Sequence, residues 1–365
     1  MLRRDLLFAA IPFPWSKKRG SGSDAVAFVA NQRGKSVAAV SLHSFAVTAQ
    51  LQLGVEPGAI LAHLSRPAVY VLAPASGTII ELDSNRLSVR RSLRVAPQAS
   101  AMRLSADGKY LWALSAAARS LARVTVDSLE ISGAIRLSRT PVDFDLQPQG
   151  GLVAIALEGG GVALADTANF QVKATIASED PRVVRFRSDG RQVIVGNRSA
   201  RTLTIADAVT AKVVVNLPLP VEPENFCFKN DGGELFITGR GMDAVVVAYP
   251  YRTEVKETVL AGRAPRWMAA STSPELLLVA NPEAGDVTIL EIETNKLVAV
   301  VTVGTETGEI AVTPDSQYAL VLNRQSGHLA VIGLWNATTT RSKTAPLFTM
   351  IPVGAGPVAL AVRAV

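Results

Sequence analysis

The chain has 365 residues, of which 48% are hydrophobic, 19% charged and 5% aromatic, with one cysteine and three histidines. That much apolar material builds a large core, whereas the aromatic share is modest for a sugar-binding surface or a platform that stacks nucleic-acid bases. The net charge of +6 permits attraction to anionic surfaces, but Lys and Arg are dispersed and no basic run exceeds Lys17-Lys18-Arg19, so no nucleic-acid footprint is expected.

The first segment, residues 1–22, opens Met1-Leu2-Arg3-Arg4 and runs through a short apolar stretch to Pro12, Pro14 and Trp15. Twin arginines ahead of an apolar stretch resemble the start of a bacterial twin-arginine export signal, which implies a periplasmic or extracellular protein. Lys17-Lys18-Arg19 stands where a small-residue cleavage site belongs, so a cytoplasmic location is the alternative. No apolar run approaches the length of about 20 residues that a membrane-spanning helix needs. Gly20-Ser21-Gly22-Ser23 then forms a flexible joint.

From residue 23 to residue 365 a unit of about 42 residues returns eight times, and this stretch reads as a single domain. Its marker is an apolar strand: Val26–Ala30, Ala68–Leu72, Tyr110–Leu114, Leu152–Ala156, Gln192–Gly196, Glu234–Thr238, Leu276–Ala280 and Tyr318–Leu322. The step is 42 residues throughout, except for 40 between the fourth and the fifth. Before each marker comes a short first strand, often opening at proline (Pro141, Pro181, Pro223, Pro265, Pro357) and ending in a turn such as Asp107-Gly108, Asp189-Gly190 or Asp231-Gly232. After it comes a loop that begins with Asn31, Asn197, Asn281 or Asn323, then a third strand such as Val287–Glu291. Turns of an acid plus a small polar residue follow (Asp83-Ser84, Asp127-Ser128, Asp166-Thr167), where the carboxylate caps turn amides. A fourth strand such as Leu297–Thr302 completes the unit. With no long amphipathic helical pattern, the chain is all-β.

Such units bury their faces only against one another, and a closed ring leaves no long edge exposed. The expected fold is therefore a β-propeller of four-stranded antiparallel blades, eight by repeat count, with seven as the alternative if one set lies outside the ring. The first unit starts directly with its marker strand, and the chain ends with an orphan first strand, Pro357–Val365. Joining them completes one blade from both termini.

The stretch Leu276–Gly304 resembles the repeat of the YVTN family of β-propellers: Leu276-Leu277-Leu278-Val279-Ala280-Asn281, a Gly-containing loop, the strand Val287–Glu291, and Leu297–Gly304. The resemblance covers residues 23–365 and decays in the fourth and sixth units, where Glu158 and Gly239 stand in place of the marker Asn. It implies a propeller. For activity it implies little, because that family includes surface-layer proteins, binding modules, lactonase-like enzymes and cofactor enzymes.

Strand alternation puts Arg103, Asp143, Asp145, Arg185, Asn225, Trp267 and Glu309 on one side of the first strands and residues such as Met102, Phe144, Val184, Phe226 and Ile310 on the other. First strands are innermost, so the polar set is expected to border the axial channel. Either these charges neutralise one another there, or they frame a pocket for a small anionic or hydroxylated ligand. Glu179, Asp180, Arg182, Glu222, Glu224, Arg263 and Arg266 form a mixed-charge rim of solvent-exposed turns.

His43, His63 and His328 fall at a third-strand end, a first-strand end and a loop, too scattered for one metal. Cys227, inside a first strand, is expected to be a buried and inert thiol. Gly159-Gly160-Gly161 lacks the strand-to-helix context of a phosphate cradle, and no nucleophile elbow occurs. The reading is a monomeric, non-catalytic binding or scaffold propeller, with no cofactor or metal, whose partner is a protein or a small polar ligand. The alternative is a lactonase-like hydrolase or other propeller enzyme with an axial active site.

Overall fold

A computed structural model describes residues 22–338 and 346–364. The leader with Arg3 and Arg4 lies outside the described residues, save Gly22. Eight four-stranded antiparallel sheets form a ring, and one short helix, Leu334–Thr338, accompanies them among the described residues. The chain is an eight-bladed β-propeller, and the eighth repeat lies within the ring.

The inner strands of blades 1 to 8 are Pro357–Ala364, Ala59–Ala62, Ala101–Leu104, Pro141–Leu146, Pro181–Phe186, Glu222–Phe228, Met268–Ala270 and Thr307–Val312. Blade 1 is closed as expected: Pro357–Ala364 pairs antiparallel with Ala25–Asn31, from Ala25 opposite Ala364 to Asn31 opposite Pro357. The core is not one mass but eight apolar clusters, one between each pair of neighbouring blades; Leu320, Leu322 and Leu329 of blade 8 pack on Ala27 and Val29 of blade 1, for example. Each blade is thus stable only against its neighbours.

The marker asparagines reach from the end of the marker strand to the loop that enters their own blade from the preceding one. Asn31 Nδ2 donates to the Val353 carbonyl at 2.8 Å. A Cβ on Gly354 would stand 2.8 Å from Asn31 Nδ2, and one on Gly304 3.1 Å from the Asn323 side chain, and both glycines have positive φ (128° and 135°). Gly is therefore needed for both backbone conformation and close approach. In blade 4 the residue in the asparagine position is Leu157 rather than Glu158, because Pro141 pairs with Leu157 as Pro181 pairs with Asn197. Asp83 and Asp166 cap their turns as expected, each through Oδ1 to two amides. Asp127 instead forms an ion pair with Arg66 of the neighbouring blade. His328 is not in a loop but opens a third strand opposite Asn323.

Candidate functional site

Successive inner strands lie side by side around the axis, each with one edge paired to its marker strand and the other edge free. Free-edge amides need acceptors. Three carboxylates supply them, always to the next blade. Val184 N donates to Asp143 Oδ2 at 3.1 Å, Phe186 N to Asp145 Oδ2 at 2.8 Å, and Leu360 N to Glu309 Oε2 at 3.0 Å. These charge-assisted bonds pin blade 4 to blade 5 and blade 8 to blade 1.

Four of the seven candidate residues form one cluster. Arg185 Nη1 lies 2.5 Å from Asp143 Oδ2, Arg103 Nη2 lies 3.5 Å from Asp143 Oδ1, and Arg103 Nη1 lies 3.7 Å from Asp145 Oδ1. Arg103 Nε also donates to the Phe144 carbonyl at 2.7 Å. Asp143 is the hub and Asp145 the weaker partner. Burial pushes the Asp145 carboxyl above its ordinary range, opposed by Arg103 and Arg185. Burial, and then the neighbouring Arg185, push the Arg103 guanidinium below its own.

The other three stand apart on blades 6, 7 and 8. Asn225 is partly buried opposite Thr238. Trp267 precedes its strand by one residue, with the Arg266 guanidinium 4.7 Å from its ring centre. Glu309 has no ion-pair partner among the described residues, and burial raises its carboxyl to about 7, against the lowering effect of the Leu360 amide. Its folded value exceeds the unfolded one, so the native state binds the extra proton between the two; the stability this gives is complete below about pH 4 and is lost as pH rises through about 7. Glu309→Gln should therefore gain roughly 2–3 kcal/mol on wild type at pH 8 and almost nothing at pH 4, as read by urea unfolding. An equal offset at both pH values would contradict this.

The cluster opens onto a cavity of about 410 Å³ at the end of the axis where the inner strands terminate. Arg103 and Asp145 form its polar wall, and Leu61, Leu64, Met102 and Pro148 its apolar one. Leu64 is 76% exposed. Sequence reasoning missed Leu64 and Pro148 because both lie just past the inner strands, in turns; a large exposed leucine in a turn was the available signal. On the opposite face, the expected rim is laced by ion pairs, Arg240 Nε–Glu224 Oε1 at 2.9 Å and Arg263 Nη2–Glu283 Oε2 at 3.4 Å, beside a cavity of about 660 Å³ between blades 6 and 7.

His63 serves structure: its Nδ1 accepts from Ser65 N and Arg66 N, both at 3.1 Å, leaving Nε2 to donate to the Gly108 carbonyl at 3.0 Å. Burial pushes the Cys227 thiol up to about 12, far from thiolate reactivity. Among the described residues no group of three or more His, Cys, Asp or Glu side chains is placed to hold a metal ion.

No protein-family model matches the chain, and no curated protein matches it. Solved structures do. Hydrazine synthase of Kuenenia stuttgartiensis is similar at 17% identity and a TM-score of 0.60, covering 76% of this chain and 95% of that one. The dihydro-heme d1 dehydrogenase NirN, in complex with DHE, is similar at 14% identity and a TM-score of 0.76, covering 95% of this chain and 77% of that one. A functionally unknown protein from Desulfotomaculum acetoxidans DSM 771 is similar at 13% identity and a TM-score of 0.61, covering 76% and 95%. At these identities the likeness is one of fold.

Proposed function

We propose that this chain is a non-catalytic propeller of the YVTN type that captures a small ligand at the axial mouth, one with an apolar body and a carboxylate or hydroxyl head. The observation that carries this reading is the cavity that sets the Arg103 and Asp145 side chains against Leu61, Leu64, Met102 and Pro148. Arg103 holds its carboxylates only at 3.5 and 3.7 Å, so its guanidinium retains capacity for a further acceptor. Asp143, Asp145 and Glu309 each already accept an inner-strand amide, which favours binding over catalysis. NirN, a protein of similar fold, was solved in complex with DHE, so this architecture is compatible with ligand capture.

A second reading rests on Glu309, whose carboxyl near 7 suits a general acid or base in a propeller enzyme. The probe for the first reading is 8-anilinonaphthalene-1-sulfonate, an apolar anion whose fluorescence reports capture. Wild type should show one saturable site, and Leu64→Glu, which places a negative charge at the mouth without touching the core, should weaken it about 10-fold or more. Equal affinity in both proteins would overturn the axial site; binding abolished by Glu309→Gln instead would shift the ligand to the second reading.

A further inference from the structure

We propose that the boundary between blades 4 and 5 carries a separate site, a cleft for an uncharged, polyhydroxylated ligand of the sugar or sugar-alcohol class. Its origin is the single 40-residue step in the repeat. Between the marker strand and the third strand, four loop residues separate paired positions in the other blades, as between Ala73 and Thr78, Asn197 and Thr202, and Asn323 and His328. In blade 4 only three separate Leu157 from Gly161, whose carbonyl accepts the Leu157 amide. The second missing residue lies in the loop to the next blade. Thr202 pairs with Pro218, five residues ahead of Pro223, whereas Val162 pairs with Ile176, which sets Ala177 opposite Gly161, four residues ahead of Pro181. Both losses fall on the same face at the same boundary, where Gly160, Gly161, Ala177 and Ala200 add little bulk. They leave a cleft of about 890 Å³.

The lining mixes polar side chains with small and aliphatic ones and carries no excess charge. Ser178 Oγ donates to Asn197 Oδ1; Asn197 Nδ2 donates to Thr202 Oγ1 at 2.9 Å and Thr204 Oγ1 at 2.7 Å; Thr204 Oγ1 donates to Asn216 Oδ1 at 2.6 Å. This relay fixes the wall and, among the described residues, leaves the amide protons of Asn216 and the hydroxyl proton of Thr202, both lining the cleft, unclaimed. The hydroxyls of Ser138 and Thr175, which also line the cleft, have no hydrogen-bond partner among the described residues. The two charged residues, Arg139 and Glu179, are opposite in sign, and Arg139 is already bonded to the Gly159 carbonyl. A phosphate would meet no basic cluster here, and the apolar residues Leu157, Ile176, Ala177 and Ala200 offer a surface for the C–H faces of a sugar ring. Alternating hydroxyls on a ligand would meet free donors and acceptors along the lining. Without an aromatic platform, recognition rests chiefly on hydrogen bonds and should be of millimolar strength.

Saturation-transfer NMR and calorimetry with methyl α-glucoside and maltose test the site, with inorganic phosphate as the competitor. Wild type should bind at least one of the two sugars with a Kd of about 1–10 mM. Asn216→Asp keeps the acceptor for Thr204 but removes the amide donors, and Thr175→Trp fills the cleft from an exposed position; each should weaken sugar binding about 10-fold with a Tm within about 2 °C of wild type. Leu64→Glu, at the axial mouth, should leave it unchanged, so this site and the axial one fail independently. Absence of saturable binding by either sugar, affinity undiminished in both cleft variants, or displacement of sugar by phosphate would overturn the proposal.

Discussion

A chain truncated before Pro357 should fail to fold. Blade 1 would lose the strand that pairs with Ala25–Asn31, and with it the Leu360 amide bound by Glu309. Leu360 belongs to the cluster between blades 8 and 1, Ala359 to that between blades 1 and 2, and Val358, Ala361 and Val362 pack against one or the other. Burying each large apolar side chain contributes roughly 1.5–3 kcal/mol, and an opened ladder leaves buried amides without acceptors. Against a total stability of about 5–15 kcal/mol, these losses exceed what a ring with two torn interfaces retains. The measurement is calorimetry or far-UV circular dichroism of the truncated chain. It should show no cooperative transition; melting within a few degrees of full length would mean the ring closes some other way.

Asp143→Asn should be the most damaging single change at the axis. The substitution keeps an oxygen for Val184 N but strips Arg185 of its carboxylate and leaves Arg103 the ion pair with Asp145 at 3.7 Å and the bond to the Phe144 carbonyl. Removing one partner of a buried pair costs about 3–5 kcal/mol, and the Asp143 side chain, 17% exposed, belongs near the lower end of that range. Asp145→Asn should cost about half as much, because its ion pair is longer and its burial already opposes the charged form. Adding Arg185→Met to Asp143→Asn should recover part of the loss. Urea unfolding at pH 7 provides the ranking. Equal effects below about 1 kcal/mol would place both carboxylates in solvent and undo the cluster.

The ring was legible in the sequence because every blade repeats the same exchange of strand and turn: the markers counted eight sets of strands, with a seven-bladed ring left open until strand pairing placed all eight, and the orphan strand at Pro357 indicated the closure. That Arg103, Asp143, Asp145 and Arg185 share one side of the inner strands was legible because alignment on the closing turns sets the register, and strand alternation then puts every second residue on the same face. Their pairing was not. Alignment makes Asp145 the natural partner of both arginines, whereas Asp143, two residues earlier, meets Arg185 because neighbouring inner strands are offset across the blade boundary. Asp127 departed from its expected turn cap for a similar reason, since the long side chain of Arg66 reaches it from another blade. The axial mouth was hidden because Leu64 and Pro148 sit at one position of the turn that closes each inner strand, where the residue type changes from blade to blade. The 40-residue step was plain, but only the strand pairing reveals that its two missing residues lie in loops facing each other.

The central claim is that the axial carboxylates pin neighbouring blades together, leaving ligand capture to the mouth. Native-state hydrogen exchange tests it at single amides. Val184, Phe186 and Leu360 lie on free inner-strand edges and should be protected, because Asp143, Asp145 and Glu309 hold them. Ile60 and Met102 occupy the same position as Val184, but the preceding blades carry Ala359 and Ala59 where Asp143 stands in blade 4, so their amides should exchange much faster. Equal and rapid exchange at all five would mean that the carboxylates are free for chemistry, and would contradict this account.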